Sequence, residues 1–489
     1  MSAIESLAPS FWILQITLAV SGVDGLLFGY DTGYISSVLI SLGSDLGAPL
    51  TDGQKELVTS ITSVGALVAA MLSGAIADRY GRLSVMWLST LAFTIGALMQ
   101  AFSTSLFVFV FGRLIVGLGV GAASMVAPMY IAEIAPAKYR GRLVVLDVLC
   151  ITGGQVVAYI IGFLLDGVPF GWRYTVGFAA IPSTILFFVL PYLPESPRFL
   201  VQQFRYAEAH AVVWKTFPAA TMDQVSQKVR DMANSMHSSS TGTLKFKEKV
   251  IQFRKPANFR SLVVACGLMS VQQLCGFNTL MYYSATIFQL AGFKHPKMVA
   301  VSVALTNFLF TCVSLKLIDT VGRRKILVWS MLGMPFGLAT AAIGFSFLPA
   351  NAAGEIVAGS SSGYATMVLV SMLVFVSSYA TGLGNIPWQS TELFPNHLRA
   401  LGTTAVTAFN WGPNIIVSAT FLTLMKALSP SGAFLLYAVI CLAGWAGVYY
   451  CYPDCAGLTL EQSHHIFEDG FGIGKADLMR KENEFWDGK

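Results

Sequence analysis

The stretch GAIADRYGR at residues 74–82 returns in altered form as KLIDTVGRR at 316–324, with Asp78, Gly81 and Arg82 each standing 241 residues before Asp319, Gly322 and Arg323. Each copy closes one long apolar run and opens the next. The pattern reads as a tight charged turn between two buried helices, used twice. A second spacing runs beside it: EIAPAKYR supplies Glu133, Pro136 and Arg140, and ELFPNHLR supplies Glu392, Pro395 and Arg399, each 259 residues on. The same 259 carries Pro194 and Glu195 of LPESPRFL onto Pro453 and Asp454 of YPDCAG. Three motifs in register across two halves point to a duplicated unit.

What lies between the motifs sets the class. The 489 residues are 55% hydrophobic and 12% charged, where a soluble domain carries about 25% charged residues. Runs of roughly 20 residues poor in charge number twelve, near 12–40, 57–77, 84–102, 106–130, 143–166, 172–192, 261–289, 298–318, 325–347, 364–388, 400–425 and 432–452. The first is too long for a cleaved signal h-region and is expected to remain as an anchor. The expected fold is an all-α membrane protein with twelve transmembrane helices in two pseudo-symmetric six-helix bundles. Residues 1–197 form the N-terminal bundle, 198–260 a cytoplasmic linker, 261–452 the C-terminal bundle and 453–489 a cytoplasmic tail, mobile and unrelated to transport. Within the linker, RYAEAHAVVWKTF has helical spacing and the Ser-rich SMHSSSTGT reads as a flexible tether.

Lysine and arginine collect in short loops on the cytoplasmic side. Placing both termini inside gathers Arg79, Arg82, Lys138, Arg140, Arg142, Arg323, Arg324, Lys325 and Arg399 there, and leaves Lys55, Arg173, Lys294, Lys297 and Lys426 opposite. The net charge of +5 is this loop bias and no sign of a nucleic-acid partner. The seven cysteines show no metal-ligand spacing, so no metal or cofactor is expected. The chain is expected not to be an enzyme, because no intramembrane His, Ser or Cys has triad-like company and His397, His464 and His465 lie outside the spans.

A duplicated bundle suits a transporter, in which two halves rock around a site at the bilayer midplane. The repeated charges then make a cytoplasmic gate, formed by Asp78, Arg82, Glu133, Arg140, Arg142, Glu195 and Arg198 in the first half and Asp319, Arg323, Arg324, Glu392 and Arg399 in the second. They are expected to pair across the halves when the inner side closes. Other charges lie deeper. Asp31 in the first helix and Arg113 in the fourth are each too costly to leave unpaired in hydrocarbon, so they are expected to pair when Asp31 is ionised and separate when it takes a proton. That is a proton switch; a buried pair that only fixes packing is the alternative. Asp24, two turns before Asp31 on nearly the same face, is expected to reach the cytoplasmic vestibule; relaying protons inward is the alternative. Asp147 is expected to make polar gating contacts.

These motifs carry a resemblance. GYDTG at 29–33, GAIADRYGR at 74–82, PMYIAEIAPAKYRGR at 128–142, PESPRFL at 194–200, QQLCGFN at 272–278 followed by Tyr282 and Tyr283, and DTVGRRK at 319–325 resemble, in order and over nearly the whole chain, the sugar porter branch of the major facilitator superfamily. Within it the chain most resembles fungal myo-inositol/proton symporters, on FGYDTGYISSVLISLG at 28–43, GNIPWQSTELFP at 384–395, FNWGPNIIVSATFLTLM at 409–425 and the tail from CYPDCAG at 451. The resemblance implies import of myo-inositol or a related polyol or sugar with protons, in the plasma membrane, by a functional monomer. It also implies that Gln272, Gln273, Asn278 and Tyr283 meet the substrate, joined by Gln155, Asn307, Trp388 and Asn410. It supports Asp31 as the coupling carboxylate, since proton-coupled members carry an acid there. A proton-coupled or facilitative hexose transporter, and a transporter-like nutrient sensor, remain as other readings. The match departs at Cys455 and Ala456, where the family's exit motif carries a basic partner, and at Ala400, where it carries Gly.

The residue types in the spans agree with a neutral polyhydroxyl substrate. Amides offer paired donors and acceptors to a ring of hydroxyls, and aromatic faces cover its C–H surface. GLGNIPW at 382–388 and WGPN at 411–414 are expected to break their helices and turn backbone toward a cavity.

Overall fold

Hydrocarbon leaves a spanning segment no solvent for its backbone amides, and helices satisfy them internally. Every regular element among the described residues is accordingly helical. The computed structural model describes residues 10–240, 246–348, 363–395, 398–454, 466–468, 470–476 and 478–479. Five long helices come first: α1 (Phe11–Ser41), α2 (Asp52–Tyr80), α3 (Arg82–Ala101), α4 (Leu106–Ile134) and α5 (Ala137–Leu164). The sixth run divides into α6 (Gly171–Gly177), α7 (Ala180–Val189) and a 3-10 turn at Leu190–Tyr192. Four short helices follow: α8 (Pro197–Gln202), α9 (Tyr206–Thr216), α10 (Met222–Ser240) and α11 (Phe246–Gln252). The second half comprises α12 (Pro256–Leu274), α13 (Phe277–Leu290), α14 (Pro296–Val321), α15 (Arg323–Ser346), α16 (Gly363–Thr381), a 3-10 stretch Ile386–Leu393 and α17 (Arg399–Cys451).

Among the described residues, ten stretches are long and apolar enough to cross a membrane. The last of them, α17, is two spans joined at Ser429, where φ 63° and ψ 161° leave the helical region just before Pro430. With α1 the chain has twelve transmembrane helices, as expected. Three deviations have local causes. The seventh run breaks between α12 and α13 at Gly276, which adopts φ 87°, where a Cβ would sit 2.9 Å from the Tyr437 ring. The tenth ends at Thr381 in a turn before Pro387, so GLGNIPW does break its helix. Pro413 does not; α17 continues through it, and its one non-helical residue is Ser429. The Ser-rich segment also departs from expectation, because α10 runs through it to Ser240; residues 241–245 lie outside the described residues.

The chain divides into two units. The first holds Met1–Asp31, Ile61–Ala158 and Pro169–Thr243; the second holds Thr32–Ser60, Tyr159–Val168 and Leu244–Lys489. The second unit therefore includes the Ser41 end of α1, the Asp52 end of α2 and the Leu164 end of α5.

In the first unit, α2 and α4 approach through small residues. A Cβ on Gly117 would lie 2.2 Å from Thr62 O and one on Gly121 2.1 Å from Ala66 O, which is the close backbone contact that lets membrane helices gain dispersion energy. Val85, Met86, Val126, Ala127, Tyr130 and Leu186 fill the space between α3, α4 and α7. The linker helices α8, α9 and α10 bury a small core of their own around Leu200, Val212, Val213, Phe217 and Val225. In the second unit the tail is anchored. Arg260 donates to the carbonyls of Phe467 and Glu468 at 2.8 Å each, and Ile466 and Phe467 are buried, so the expectation of a wholly mobile tail does not hold there.

Candidate transport site

The first unit joins the two predicted intramembrane charges. Arg113 Nη1 donates to Asp31 Oδ1 at 2.7 Å, and the residues are 1% and 3% exposed. Thr62 donates to the Arg113 carbonyl at 3.3 Å, fixing the same turn of α4. A buried pair gains little net stability, but removing one partner strands the other and costs about 3–5 kcal/mol. Gln155, on α5 in the same unit, is buried. Asp24 is 7% exposed, so the expectation that it reaches an open vestibule is not met.

The repeat motif of the first unit forms one closed network. Gly81 turns the chain from α2 into α3 at φ 98° and ψ 159°, a region open essentially to glycine. Arg82 then grips Glu133 with two bonds of 2.9 and 3.1 Å and reaches Asp78 at 3.2 Å. Glu195 accepts the backbone N–H groups of Arg82, Leu83 and Ser196 at 3.2, 3.3 and 2.8 Å. Ser196 donates its hydroxyl to Glu133 at 2.5 Å. Burial pushes the Glu195 carboxyl above its ordinary value, against the pull of those three N–H groups and the Arg82 charge. Arg198 is exposed and lines a cavity of about 310 Å³ with Glu133, Lys228 and Asp231. The partners found among the described residues for Asp78, Arg82, Glu133 and Glu195 all lie within this unit. The side chains of Arg140, Arg142 and Asp319 lie outside the described ones.

The second unit repeats the device. Gly322 has φ 92° and ψ 147°, Arg323 Nη1 meets Glu392 Oε2 at 2.7 Å, and Arg324 donates to the Tyr449 carbonyl at 2.6 Å. Arg399 reaches the Phe394 carbonyl at 3.3 Å.

Deeper in this unit lies a layer of amides. Gln273 is its hub: its Nε2 donates to Asn410 Oδ1 and, at 3.4 Å, to Gln272 Oε1. Its Oε1 accepts from Asn278 and, at 2.8 Å, from Asn414. Gln272 gives both N–H groups, at 3.0 Å each, to the carbonyls of Leu383 and Gly384, which the break after α16 leaves without helical partners. Asn385 closes the same break on the Ala380 carbonyl at 2.8 Å. Tyr283 is fully buried, donates to the Ser418 carbonyl at 3.0 Å and stacks on Phe421. It supports α17 rather than lining a surface. Asn307 is buried, while Trp388 is 46% exposed on the 3-10 stretch. Asn414 joins this layer beyond the residues expected from the sequence; it lies one turn beyond Asn410 on the same face of α17, and that spacing is the available signal.

A further set in this unit was missed. Lys297, 5% exposed, donates to Asp166 and Ser41 at 2.5 Å each. Glu56 accepts both the N–H and the hydroxyl of Thr423 at 2.7 and 2.8 Å. Ser36 and Tyr159 converge on Ser284 at 2.9 and 2.8 Å. The signal was a lysine on the sparsely charged side with no reason to be buried.

Two bundles of membrane helices, a buried acid–guanidinium pair and an amide layer define a multi-pass membrane transporter, and the comparisons with known proteins state the family. Residues 17–467 match the model of the sugar (and other) transporter family, and the chain belongs to it. Myo-inositol transporter 1 of Cryptococcus neoformans var. grubii is 43% identical over 96% of this chain and 83% of its own length. Myo-inositol transporter 2 of Schizosaccharomyces pombe is 42% identical over the same shares. Among solved structures, the proton:xylose symporter XylE bound to 6-bromo-6-deoxy-D-glucose superimposes with a TM-score of 0.74 at 26% identity, over 93% of this chain and 99% of that one. The chain is a transporter of the major facilitator fold and not an enzyme.

Proposed function

We propose that the chain imports myo-inositol, or a closely related neutral polyol or sugar, together with protons by alternating access. The amide layer carries this reading. Gln273 has its hydrogen-bonding capacity filled, whereas among the described residues Asn278 Oδ1 and Asn410 Nδ2 keep no recorded partner. An acceptor and a donor flanking one hub suit adjacent hydroxyls on a ring, and among the described residues no charged side chain joins the layer to favour an ionic cargo. Gln155, Asn307 and Trp388 are assigned to the same substrate. Tyr283 is assigned to holding α17 behind it. The relatives bearing the myo-inositol name support the choice of polyol, and the likeness to the proton:xylose symporter XylE supports proton coupling.

In this cycle Asp31 takes a proton, releases Arg113 and frees α1 from α4; its deprotonation restores the pair. The repeated Arg–Glu turns act as the cytoplasmic gate, and the contacts of Lys297 and Glu56 lock the opposite side. Both termini are cytoplasmic, supported by the Lys and Arg bias, the membrane is the plasma membrane, and the monomer is the working unit.

The test is uptake of labelled myo-inositol by a transport-deficient cell expressing the chain, with glucose, xylose and sorbitol as competitors, at two external pH values, with and without a protonophore. Accumulation above the external level, favoured by acid and abolished by the protonophore and by Asp31→Asn, is expected. Equilibration without accumulation would refute coupling, and equal competition by glucose would reassign the substrate.

A further inference from the structure

Helix α12 belongs to a stretch apolar enough to cross the membrane, and one of its faces is uncovered. Phe259, Val263 and Gly267 follow one another at four-residue spacing and are exposed, the first two at 55% and 45%, so they line one side of the helix. A Cβ on Gly267 would meet nothing within 4 Å, which leaves the stripe open at its deep end. Gly267 stands about 140° and about 120° around the helix from Gln272 and Gln273. The stripe therefore looks away from the amide layer, and its apolar side chains suit lipid.

Lys255, the N-cap of α12, continues the same spacing one turn before Phe259. It is exposed, as is Arg254, and the two line a hollow of about 480 Å³ with Ile251 and Glu248. Among the described residues neither cation has an ion-pair or hydrogen-bond partner, whereas Glu248 is already engaged. Arg260, the next cation, is held by the carbonyls of Phe467 and Glu468. Two free cations thus stand at the head of an apolar stripe. From Lys255 to Gly267 the rise is about 18 Å, close to the depth of one leaflet of a hydrocarbon core about 30 Å thick.

We propose that an anionic glycerophospholipid docks here, its headgroup in the hollow beside Arg254 and Lys255 and an acyl chain along Phe259, Val263 and Gly267. The stripe commits the site to a lipid, since a free phosphate would use the cations and leave the apolar face bare. In the orientation proposed above this is the inner leaflet, where anionic lipids gather and juxtamembrane cations bind them.

The test uses the full chain in phosphatidylcholine nanodiscs with a trace of phosphatidylserine or phosphatidylcholine carrying a diazirine in its acyl chain, and peptide mass spectrometry to locate the adducts formed on illumination. Adducts at residues 259–267 are expected to be severalfold more abundant from phosphatidylserine. The double variant Arg254→Gln, Lys255→Gln should lose that preference while its phosphatidylcholine adducts stay at the wild-type level, which also shows that the helix is still in place. Excess glycerol 3-phosphate, a headgroup without chains, should leave the wild-type preference intact. Equal labelling by the two lipids, a double variant that keeps the preference or loses both adducts alike, or abolition by glycerol 3-phosphate would overturn the site. No substrate or transport enters this measurement, so its failure and that of the uptake assay are told apart.

Discussion

The two repeat turns use the same pair of residues with different force. In the first unit Arg82 and Glu133 are joined by two bonds with side chains 5% and 7% exposed, and Glu195 closes the turn by accepting three backbone N–H groups. In the second, Arg323 and Glu392 share one bond at 19% and 46% exposure. The position equivalent to Glu195 is Asp454, which is followed by Cys455 and Ala456 in place of the family's basic partner. A duplicated motif has thus kept its geometry in both halves while its energetics diverged. The first turn is built as a rigid buried clamp, and the second as a partly hydrated contact suited to opening.

The largest effect is expected from breaking the buried clamp. Arg82→Ala leaves Glu133 buried without its cation and should cost about 3–5 kcal/mol, read as a fall in the melting temperature of the purified protein. The glycines come next. Gly81→Ala and Gly322→Ala both force a side chain into backbone space that costs about 1–3 kcal/mol. Gly81→Ala should cost more, because its Cβ would lie 2.3 Å from Glu195 Oε2 and must displace the carboxylate that closes the turn. Equal losses for the two variants would mean that Glu195 adds nothing to the first turn. Arg323→Ala should be milder, about 1 kcal/mol or less, because solvent screens the exposed Glu392 once its partner is gone. If Arg323→Ala destabilises as much as Arg82→Ala, the contrast in burial is not what separates the turns.

Much of this was legible in sequence, for physical reasons. Hydrocarbon admits few charges, so the twelve spans and the improbable Asp31 and Arg113 stand out by composition alone. Glycine in a tight turn between helices signals positive φ, and Gly81 and Gly322 both have it. What stayed hidden depends on who partners whom. Gln272 looks like a ligand-facing amide in QQLCGFN, yet its donors go to carbonyls freed by a helix break 111 positions away. Tyr283 was indistinguishable from Tyr282 until packing assigned its hydroxyl to Ser418. Lys297 read as one more loop charge because burial is a tertiary property. Pro413 reads as a helix breaker, but a membrane helix tolerates proline where its neighbours satisfy the freed carbonyl.

The smallest effect concerns Glu195 and sharpens the account of the first turn. Burial raises the affinity of its carboxyl for a proton above that of an ordinary glutamate at 4.5, so the folded chain holds this proton more tightly than the unfolded one. The sign follows by linkage. The contribution of this group to stability is present in full below the ordinary glutamate value and is lost as pH rises from there through the raised value of the folded state. Glu195→Gln keeps a side-chain oxygen for the N–H groups of Arg82 and Leu83 but removes the titration. It should therefore flatten the decline of melting temperature over that window while shifting its acid limit little. Melting curves of both proteins across the window decide the matter. A slope unchanged by Glu195→Gln would mean that the three backbone N–H groups and Arg82 fully offset burial, and that Glu195 is as much a part of the clamp ionised as Glu133.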